Sequence, residues 1–167
     1  YVEAFWDWWP DLYKDLHTFR ITGGEPLLSK DTFKVLEYIQ EHWEENPNLS
    51  LAINTNMNVP EKLMNRFIEL CQDLSNNNKV RELIIFTSVE GTDKQAEYTR
   101  FGLNYETFWT NVDTFLTKLP KMTINIMATF NALSVFTYSD LIDRVFEMKK
   151  KHQNNERYWV SAIQLDT

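Results

Sequence analysis

Segments with the composition of β-strands alternate along this chain with segments of helical spacing, and this alternation restricts the possible folds most. Five apolar runs rich in β-branched residues predict strands, at residues 18–21, 49–53, 83–86, 123–128 and 159–165. Between these runs, apolar residues recur with the period of an amphipathic helix. Ser29 predicts the N-cap of one of these helices, Pro60 is suited to the first position of another, and residues 153–155 predict a loop. Strands and helices that alternate in this way predict a parallel sheet with right-handed crossovers, either open or curled toward a barrel.

The residues before the first predicted strand indicate a helix. Trp6, Trp8 and Trp9 are followed there by Leu12 and Leu16. We expect the tryptophans either to lie in the core or to cover surface that a missing segment once buried. A helix that opens an α/β chain usually follows a strand, so we expect the first strand of the sheet to be missing from this sequence. Its absence predicts an unpaired sheet edge, through which two copies of the chain would form a homodimer.

Composition limits the classes of function. With 43% hydrophobic and 14% aromatic residues, residues 1–167 are expected to form one domain around one core. The net charge of -7 argues against a nucleic-acid partner, because phosphate binding needs a basic face. No apolar run reaches the roughly 20 residues that a transmembrane helix needs. The single cysteine, Cys71, fits a reducing compartment, so we expect a cytoplasmic protein without a membrane partner.

Polar residues follow every predicted strand. The segments at these positions are 22–26, 54–56, 87–91, 129–131 and 166–167. In a parallel sheet all of them lie at one edge, which is where ligands bind. Turns are often rich in such residues, but five convergent polar segments also predict a polar ligand with several donors and acceptors.

The first polar segment is Gly23-Gly24-Glu25-Pro26. Paired glycines permit a positive φ and let backbone carbonyls approach a ligand, while Pro26 restricts the exit and Glu25 adds a carboxylate. Such a corner offers acceptors, so it predicts a site for an ammonium group rather than for phosphate. The other interpretation is an ordinary turn with a solvated glutamate.

This segment resembles the GGEP motif of the radical S-adenosylmethionine (SAM) superfamily, which receives the methionyl amino group of the cofactor. Three later segments resemble motifs of the same family in the same order: residues 53–56 its third-strand exit, residues 88–91 its S-x-D-G, and residues 96–100 the E-Y-x-R of members with a twitch domain. The resemblance spans nearly the whole chain. It implies an α/β fold, a partial TIM-like parallel β/α barrel of about five strands without its first strand.

The resemblance also implies roles for individual residues. Ser88 and Arg100 would bind the cofactor carboxylate, Arg100 through charge-assisted hydrogen bonds. Asn54, Glu90 and Asn131 would line the ribose or the substrate, and groups near Ile163 would flank the adenine. The complete set of expected cofactor-binding residues is Gly23, Gly24, Glu25, Pro26, Asn54, Ser88, Glu90, Arg100, Asn131 and Ile163.

One departure from the family pattern is severe. The family holds a 4Fe-4S cluster with three cysteines spaced C-x-x-x-C-x-x-C, because thiolates are the ligands that iron–sulfur clusters require. This chain has no such loop, and Cys71 lies in a predicted helix, where we expect a buried, inert thiol. We therefore expect the cluster loop to precede Tyr1 in an intact parent enzyme, and the chain as given to hold no cluster.

The sequence is compatible with three functions. In the first, the parent cleaves SAM reductively to a 5′-deoxyadenosyl radical, which abstracts hydrogen from a small-molecule or peptide substrate of unknown identity. In the second, the chain binds a nucleotide-like ligand without catalysis. In the third, an unrelated barrel enzyme uses Glu25 and Glu90 as acid and base. The scattered histidines predict no zinc site, and Ser88 lacks the G-x-S-x-G motif of a serine hydrolase.

Overall fold

A computed structural model describes residues 1–153 and 163–166, which form an α/β fold. The helices in this part of the chain are α1 (Val2–Asp15), α2 (Lys30–Glu41), α3 (Glu61–Asn76), α4 (Asp93–Thr99), α5 (Tyr105–Lys118) and α6 (Tyr138–His152). The strands are β1 (Thr18–Ile21), β2 (Ser50–Asn54), β3 (Glu82–Ser88), β4 (Ile124–Met127) and β5 (Ile163–Asp166). Short 3-10 turns span Pro26–Leu28 and Trp43–Glu45.

The strands form one parallel sheet in the order β1-β2-β3-β4-β5. Each strand therefore pairs with the next strand along the chain, and each crossover moves one position in the same direction. Right-handed crossovers that all advance in one direction place their helices on one face of the sheet. The α/β class and the parallel sheet predicted from the sequence are confirmed.

The two faces of the sheet differ in chemistry. One face carries the buried side chains of Leu51, Ile53, Ile85, Ile124 and Ile126, which belong to the hydrophobic core. The helices cover this face, as the ring contact between Trp9 of α1 and Phe19 of β1 illustrates, with centroids 4.8 Å apart. Successive residues of a strand alternate between faces. The opposite face therefore carries the residues Arg20, Asn54, Phe86, Ser88, Asn125 and Gln164. All of them except Asn125 are at least partly exposed, and we call this side the open face of the part of the sheet that the structure describes.

The limits of β2, β3 and β4 differ from the sequence prediction by one or two residues. β1 has the predicted limits, whereas β3 continues through Thr87 and Ser88, because these two residues still pair with Ile126 and Met127 of β4. Ser88 is thus the last residue of a strand rather than part of a loop. The predicted fifth strand is described only from Ile163 onward, and its residues 159–162, like Thr167 and the predicted loop residues 154–155, lie outside the described residues.

One of two predicted helix starts agrees with the structure, and the other is shifted by one residue. Ser29 caps α2 as predicted, and its hydroxyl accepts from the backbone N–H of Asp31 at 3.2 Å. Pro60 was expected at the first helical position and instead precedes it, because its ψ of 143° is extended and α3 begins at Glu61. Across residues 1–153 and 163–166, none of the helices has both the length and the apolar character that crossing a bilayer requires.

The N-terminal tryptophans differ in burial. Trp9 is fully buried and contacts Tyr13 and Tyr38, so its predicted place in the core is confirmed. Trp6 is half-buried, donates to Asp31 at 3.2 Å and has the ammonium of Lys34 over its ring. Trp8 is exposed, so α1 is amphipathic rather than enclosed by the fold.

Candidate functional site

Two adjoining clefts open where the strands end. The smaller has a volume of about 170 Å³ and is lined by Thr22, Gly23, Gly24, Asn54, Thr55, Asn56, Phe86, Ser88 and Arg100. The larger has a volume of about 580 Å³ and is lined by Glu90, Thr99, Arg100, Phe101, Asn131 and Leu133. Arg100 borders both clefts. The segments after β1, β2, β3 and β4 are therefore brought together at one edge of the sheet.

The paired glycines form the corner of the smaller cleft. Gly23 has a φ of 99° and Gly24 a φ of 24°, in the region that side chains disfavour. A Cβ atom at either position would meet no heavy atom within 4 Å. These glycines are therefore required by the backbone conformation and not by crowding, and the space above them is open to a ligand.

Glu25 links this corner to the segment after β2. Its carboxylate accepts from the backbone N–H of Leu27 at 3.0 Å, from the hydroxyl of Thr55 at 2.8 Å and from the backbone N–H of Asn56 at 2.5 Å. A carboxylate has about four acceptor positions. Three of them are occupied, so the carboxylate keeps one acceptor position beside the exposed residues Gly23 and Gly24.

Arg100 forms a two-pronged ion pair with Glu90 between the clefts. Its Nε donates to Glu90 Oε2 at 2.6 Å, and its Nη2 donates to Glu90 Oε1. The Glu90 side chain is 12% exposed and the Arg100 side chain 34% exposed. This pair occupies one edge of the guanidinium group. Nη1 makes no hydrogen bond with any residue that the structure describes, so a donor remains for an anionic ligand.

The two candidate asparagines are partly engaged by the protein. Asn54 Oδ1 accepts from Arg20 Nε at 2.9 Å. Asn131 uses its side chain to build its own turn, accepting from Leu133 N at 2.8 Å and donating to the Thr129 carbonyl at 3.0 Å. Asn54 therefore keeps its amide donors for a ligand, whereas Asn131 serves mainly to shape the wall of the larger cleft.

Three predicted residues do not line either cleft. The Glu25 carboxylate accepts from Thr55 and Asn56, which do line the smaller one. Pro26 is buried and begins the 3-10 turn after the glycine corner, so it fixes the direction of the chain. Ile163 of β5 is 1% exposed and belongs to the core on the helix-covered face, beside Val145 and Phe146 of α6. The residues expected near the adenine are thus separated from those expected near the amino-acid end.

The described residues do not fit an iron–sulfur cluster. Cys71 is fully buried in α3, as predicted, and burial raises the pKa of its thiol well above the ordinary range. Over residues 1–153 and 163–166, no three histidine, cysteine, aspartate or glutamate side chains are grouped in a way that could hold a metal ion. Cluster ligands are therefore not supplied by these residues.

The sequence did not indicate three residues of the mouth. Phe86 lies on β3, and the alternation of strand faces could have indicated it. Phe101 and Leu133 lie in loops and are exposed, and no periodic pattern marks them. The sequence matches neither a known protein-family model nor a curated protein.

Proposed function

We propose that the mouth of the sheet binds S-adenosylmethionine and that this chain is the central part of a radical SAM enzyme with a partial TIM-like barrel. The observation that carries this function is one small cleft bordered by the Gly23-Gly24 corner, Ser88 and Arg100. An α-amino acid end needs acceptors for its ammonium and donors for its carboxylate within a few ångströms of each other. These residues offer both.

The acceptor side consists of the glycine corner and Glu25. The left-handed backbone of Gly23 and Gly24 leaves open space for a ligand, and the carboxylate of Glu25, the next residue, favours a cation there. The donor side consists of the Ser88 hydroxyl and the free edge of the Arg100 guanidinium. The ion pair with Glu90 holds that guanidinium in place, so its orientation is set before a ligand arrives.

The nucleoside end would extend into the larger cleft. Its volume of about 580 Å³ falls within the usual range for ligand sites, roughly 300–1,000 Å³. Phe101 and Leu133 offer exposed apolar surface there for a purine, while Glu90 offers acceptors to ribose hydroxyls. We assign the adenine to this wall instead of to Ile163.

In this class of enzyme, SAM supplies a 5′-deoxyadenosyl radical that takes a hydrogen atom from the substrate. That chemistry needs a 4Fe-4S cluster, whose cysteine ligands we assign to a part of the parent protein beyond these 167 residues. The residues described here would bind and orient the cofactor and exclude water from it. The order of the strands along the sheet supports this role, since a barrel is built by the same stepwise winding.

Isothermal titration calorimetry with three ligands tests this function. We expect SAM and S-adenosylhomocysteine to bind, and 5′-methylthioadenosine, which lacks the amino-acid end, to bind about tenfold more weakly or worse, since each charged hydrogen bond contributes about 1.5–3 kcal/mol. Arg100→Gln should lose most of this discrimination. Arg144→Gln is the matched control, because Arg144 is ion-paired with Glu147 on α6. Equal affinity for all three ligands would contradict the assignment.

Catalysis is tested on the full-length parent protein. After anaerobic iron–sulfur reconstitution and reduction, we expect it to form 5′-deoxyadenosine from SAM. A parent that binds SAM without forming this product would be a binding module instead. An acid–base role for Glu25 and Glu90 has less support, because Glu25 is engaged by Thr55 and Asn56 and Glu90 is paired with Arg100.

A further inference from the structure

Arg20 is held on the open face of the sheet, next to the smaller cleft. Its Nε donates to Asn54 Oδ1 at 2.9 Å, and its guanidinium carbon lies 4.6 Å from the centroid of the Phe86 ring. Asn54 and Phe86 belong to β2 and β3, and both line the smaller cleft. The guanidinium plane is thus fixed by a hydrogen bond on one side and by a ring on the other.

The charge of Arg20 has no carboxylate partner among the residues that the structure describes. Three other arginines are paired: Arg66 with Glu37, Arg100 with Glu90 and Arg144 with Glu147. Arg81 donates two hydrogen bonds to the Ser50 hydroxyl. Arg20 donates only from Nε, and within residues 1–153 and 163–166 its two Nη groups have no acceptor. An ordered guanidinium with both Nη groups free is suited to an oxyanion with two accessible oxygens.

The surroundings of Arg20 also favour an anion. The residues that line the adjoining cleft include glycines, threonines, asparagines, Ser88 and Arg100 but no carboxylate. The Glu25 carboxylate next to this cleft is already engaged by Leu27, Thr55 and Asn56. Two acidic residues, Glu82 and Asp166, lie on the same face of the sheet. Glu82 is two strands away, near the opposite end, and Asp166 is four strands away, roughly 19 Å at the usual strand spacing. Neither compensates the charge at Arg20.

We propose that Arg20 anchors a carboxylate or phosphate group of the substrate, so that the substrate of this site is an anion. The guanidinium would donate from both Nη groups to two oxygens of the ligand, the geometry in which arginine binds oxyanions most strongly. This inference rests on the proposed function, because it places the substrate on the open face of the sheet beside bound SAM. Arg20 would determine which substrates bind and would position them.

NMR of the side-chain Nε–Hε group tests the anion site directly. In uniformly 15N-labelled protein, acetate and inorganic phosphate are titrated separately at an ionic strength kept constant with chloride. The Arg20 signal, assigned by its loss in Arg20→Lys, should shift and reach saturation. Whichever anion saturates at the lower concentration identifies the ligand group. Arg66 is the matched control, because it also lies over a ring, Phe33 at 4.4 Å, but is paired with Glu37.

An Arg20 signal that shifts no more than that of Arg66 would overturn the inference. Repeating the titration with saturating SAM separates it from the proposed function. An unchanged anion response in the presence of SAM supports two sites that are occupied together. Loss of the response on adding SAM would mean that Arg20 binds the cofactor carboxylate, which overturns the substrate site and leaves SAM binding intact. A protein that binds the anions but not SAM would retain the anion site and refute the proposed function.

Discussion

The carboxylate of Glu25 joins two segments that lie 31 residues apart in the chain, the glycine corner and the residues after β2. The attachment of these two segments to each other therefore depends on one side chain. A glutamine at this position keeps the shape but replaces one acceptor oxygen with a donor amide group. That amide group would face a backbone N–H or the Thr55 hydroxyl, and at least one hydrogen bond would be lost.

We expect Glu25→Gln to lower the free energy of unfolding by about 1.5–3 kcal/mol, because hydrogen bonds to an ionised carboxylate are lost. Urea unfolding followed by circular dichroism measures this change. Glu69→Gln on α3 is the control, since Glu69 is exposed and should unfold like the native protein. Amide exchange should also accelerate at Leu27 and Asn56. A stability equal to that of Glu69→Gln would show that the Glu25 contacts do not contribute.

At Gly91, in the segment after β3, a side chain is excluded by a close contact and not by the backbone conformation. A Cβ atom here would lie 2.7 Å from Thr137 Oγ1, so Gly91→Ala should destabilise the fold by about 1–3 kcal/mol through overpacking. The double variant Gly91→Ala, Thr137→Ala removes the clashing atom and should recover most of the loss. Thermal unfolding of the two single variants and the double variant measures the coupling. Additive effects would exclude this contact as the cause.

Contacts between residues that are close in the sequence could be predicted, and contacts between distant residues could not. The cap of α2 by Ser29 depends on residues two positions apart and was predicted. The hydrogen bonds from Thr55 and Asn56 to Glu25 span 30 and 31 residues, and only the folded sheet brings them together. The role of Arg20 likewise depends on Asn54 and Phe86, which lie on other strands.

One buried asparagine connects α5 to the segment after β2. Asn111 of α5 donates its amide to the carbonyls of Met57 at 2.8 Å and Val59 at 3.2 Å, in the segment after β2. Met57 has a φ of 55°, so this segment has a bend that a hydrogen-bonded side chain stabilises. Buried carbonyls without partners cost about 1–3 kcal/mol each.

We therefore expect Asn111→Leu to lower the free energy of unfolding by about 2–5 kcal/mol, since two carbonyls lose their donor. Chemical denaturation measures the loss. Asn65→Leu on α3 is the control, because the contact of Asn65 with Lys118 is long, at 3.5 Å, and exposed. The smaller cleft should also change shape in Asn111→Leu, which SAM titration would detect. If both variants were equally stable, the amide of Asn111 would have no such role.

The contact between α5 and α6 predicts a dependence of stability on pH. Asp113 of α5 accepts from Lys151 at 2.7 Å and from His152 at 2.6 Å. Partial burial tends to raise the pKa of Asp113, but the hydrogen bonds and charges of Lys151 and His152 outweigh it, and the pKa is lowered. A carboxyl group whose pKa is lowered by folding stabilises the protein at pH values above its ordinary pKa of 3.8. This stabilisation is lost as the pH falls through the lowered pKa.

Asp113→Asn should therefore have a lower Tm than the native protein at pH 7, and the gap should narrow as the pH falls below about 4. Thermal unfolding from pH 7 down to pH 3 measures the gap. Asp7→Asn is the control, because Asp7 is exposed on α1. A gap that stays constant over this range would mean that Asp113 acts through shape and not through its charge.

The positions of the strands could be predicted because apolar, β-branched runs mark buried strands, and β1 has the predicted limits. The C-terminal end of β3 could not be predicted, because Thr87 and Ser88 are polar and remain in the strand only through pairing with β4. Pairing extends a strand beyond its apolar residues, and a single sequence does not specify its partner.

Over the described residues, the sheet has one face covered by helices and one open face, and its strands follow one another in a single direction. This arrangement places the polar segments after β1, β2, β3 and β4 at one edge, where ligands usually bind in parallel sheets. The alternation of strands and helices was sufficient to predict the parallel sheet. The order of the strands follows from how the crossovers pack, and the sequence alone left an open and a curled sheet as alternatives.

The outer edge of β1 has no partner strand among the described residues. In a parallel strand the N–H and C=O of one residue point to the same neighbour. The carbonyl of His17 accepts from Ser50 of β2 at 3.0 Å, so Phe19 and Ile21 also pair with β2. Thr18 and Arg20 therefore direct their backbone groups outward, where a second copy of the chain can pair with them.

We expect the native protein to dimerise as its concentration rises and Thr18→Pro to remain monomeric. Proline removes an outward N–H of β1 and leaves the hydrogen bonds to β2 in place, and it is tolerated at the first residue of an edge strand. Thr18→Ala keeps that N–H and should still dimerise, which separates the backbone effect from loss of the side chain. Sedimentation velocity over a range of concentrations measures the association. A native protein that stays monomeric, or a Thr18→Pro variant that dimerises equally well, would exclude pairing through this edge.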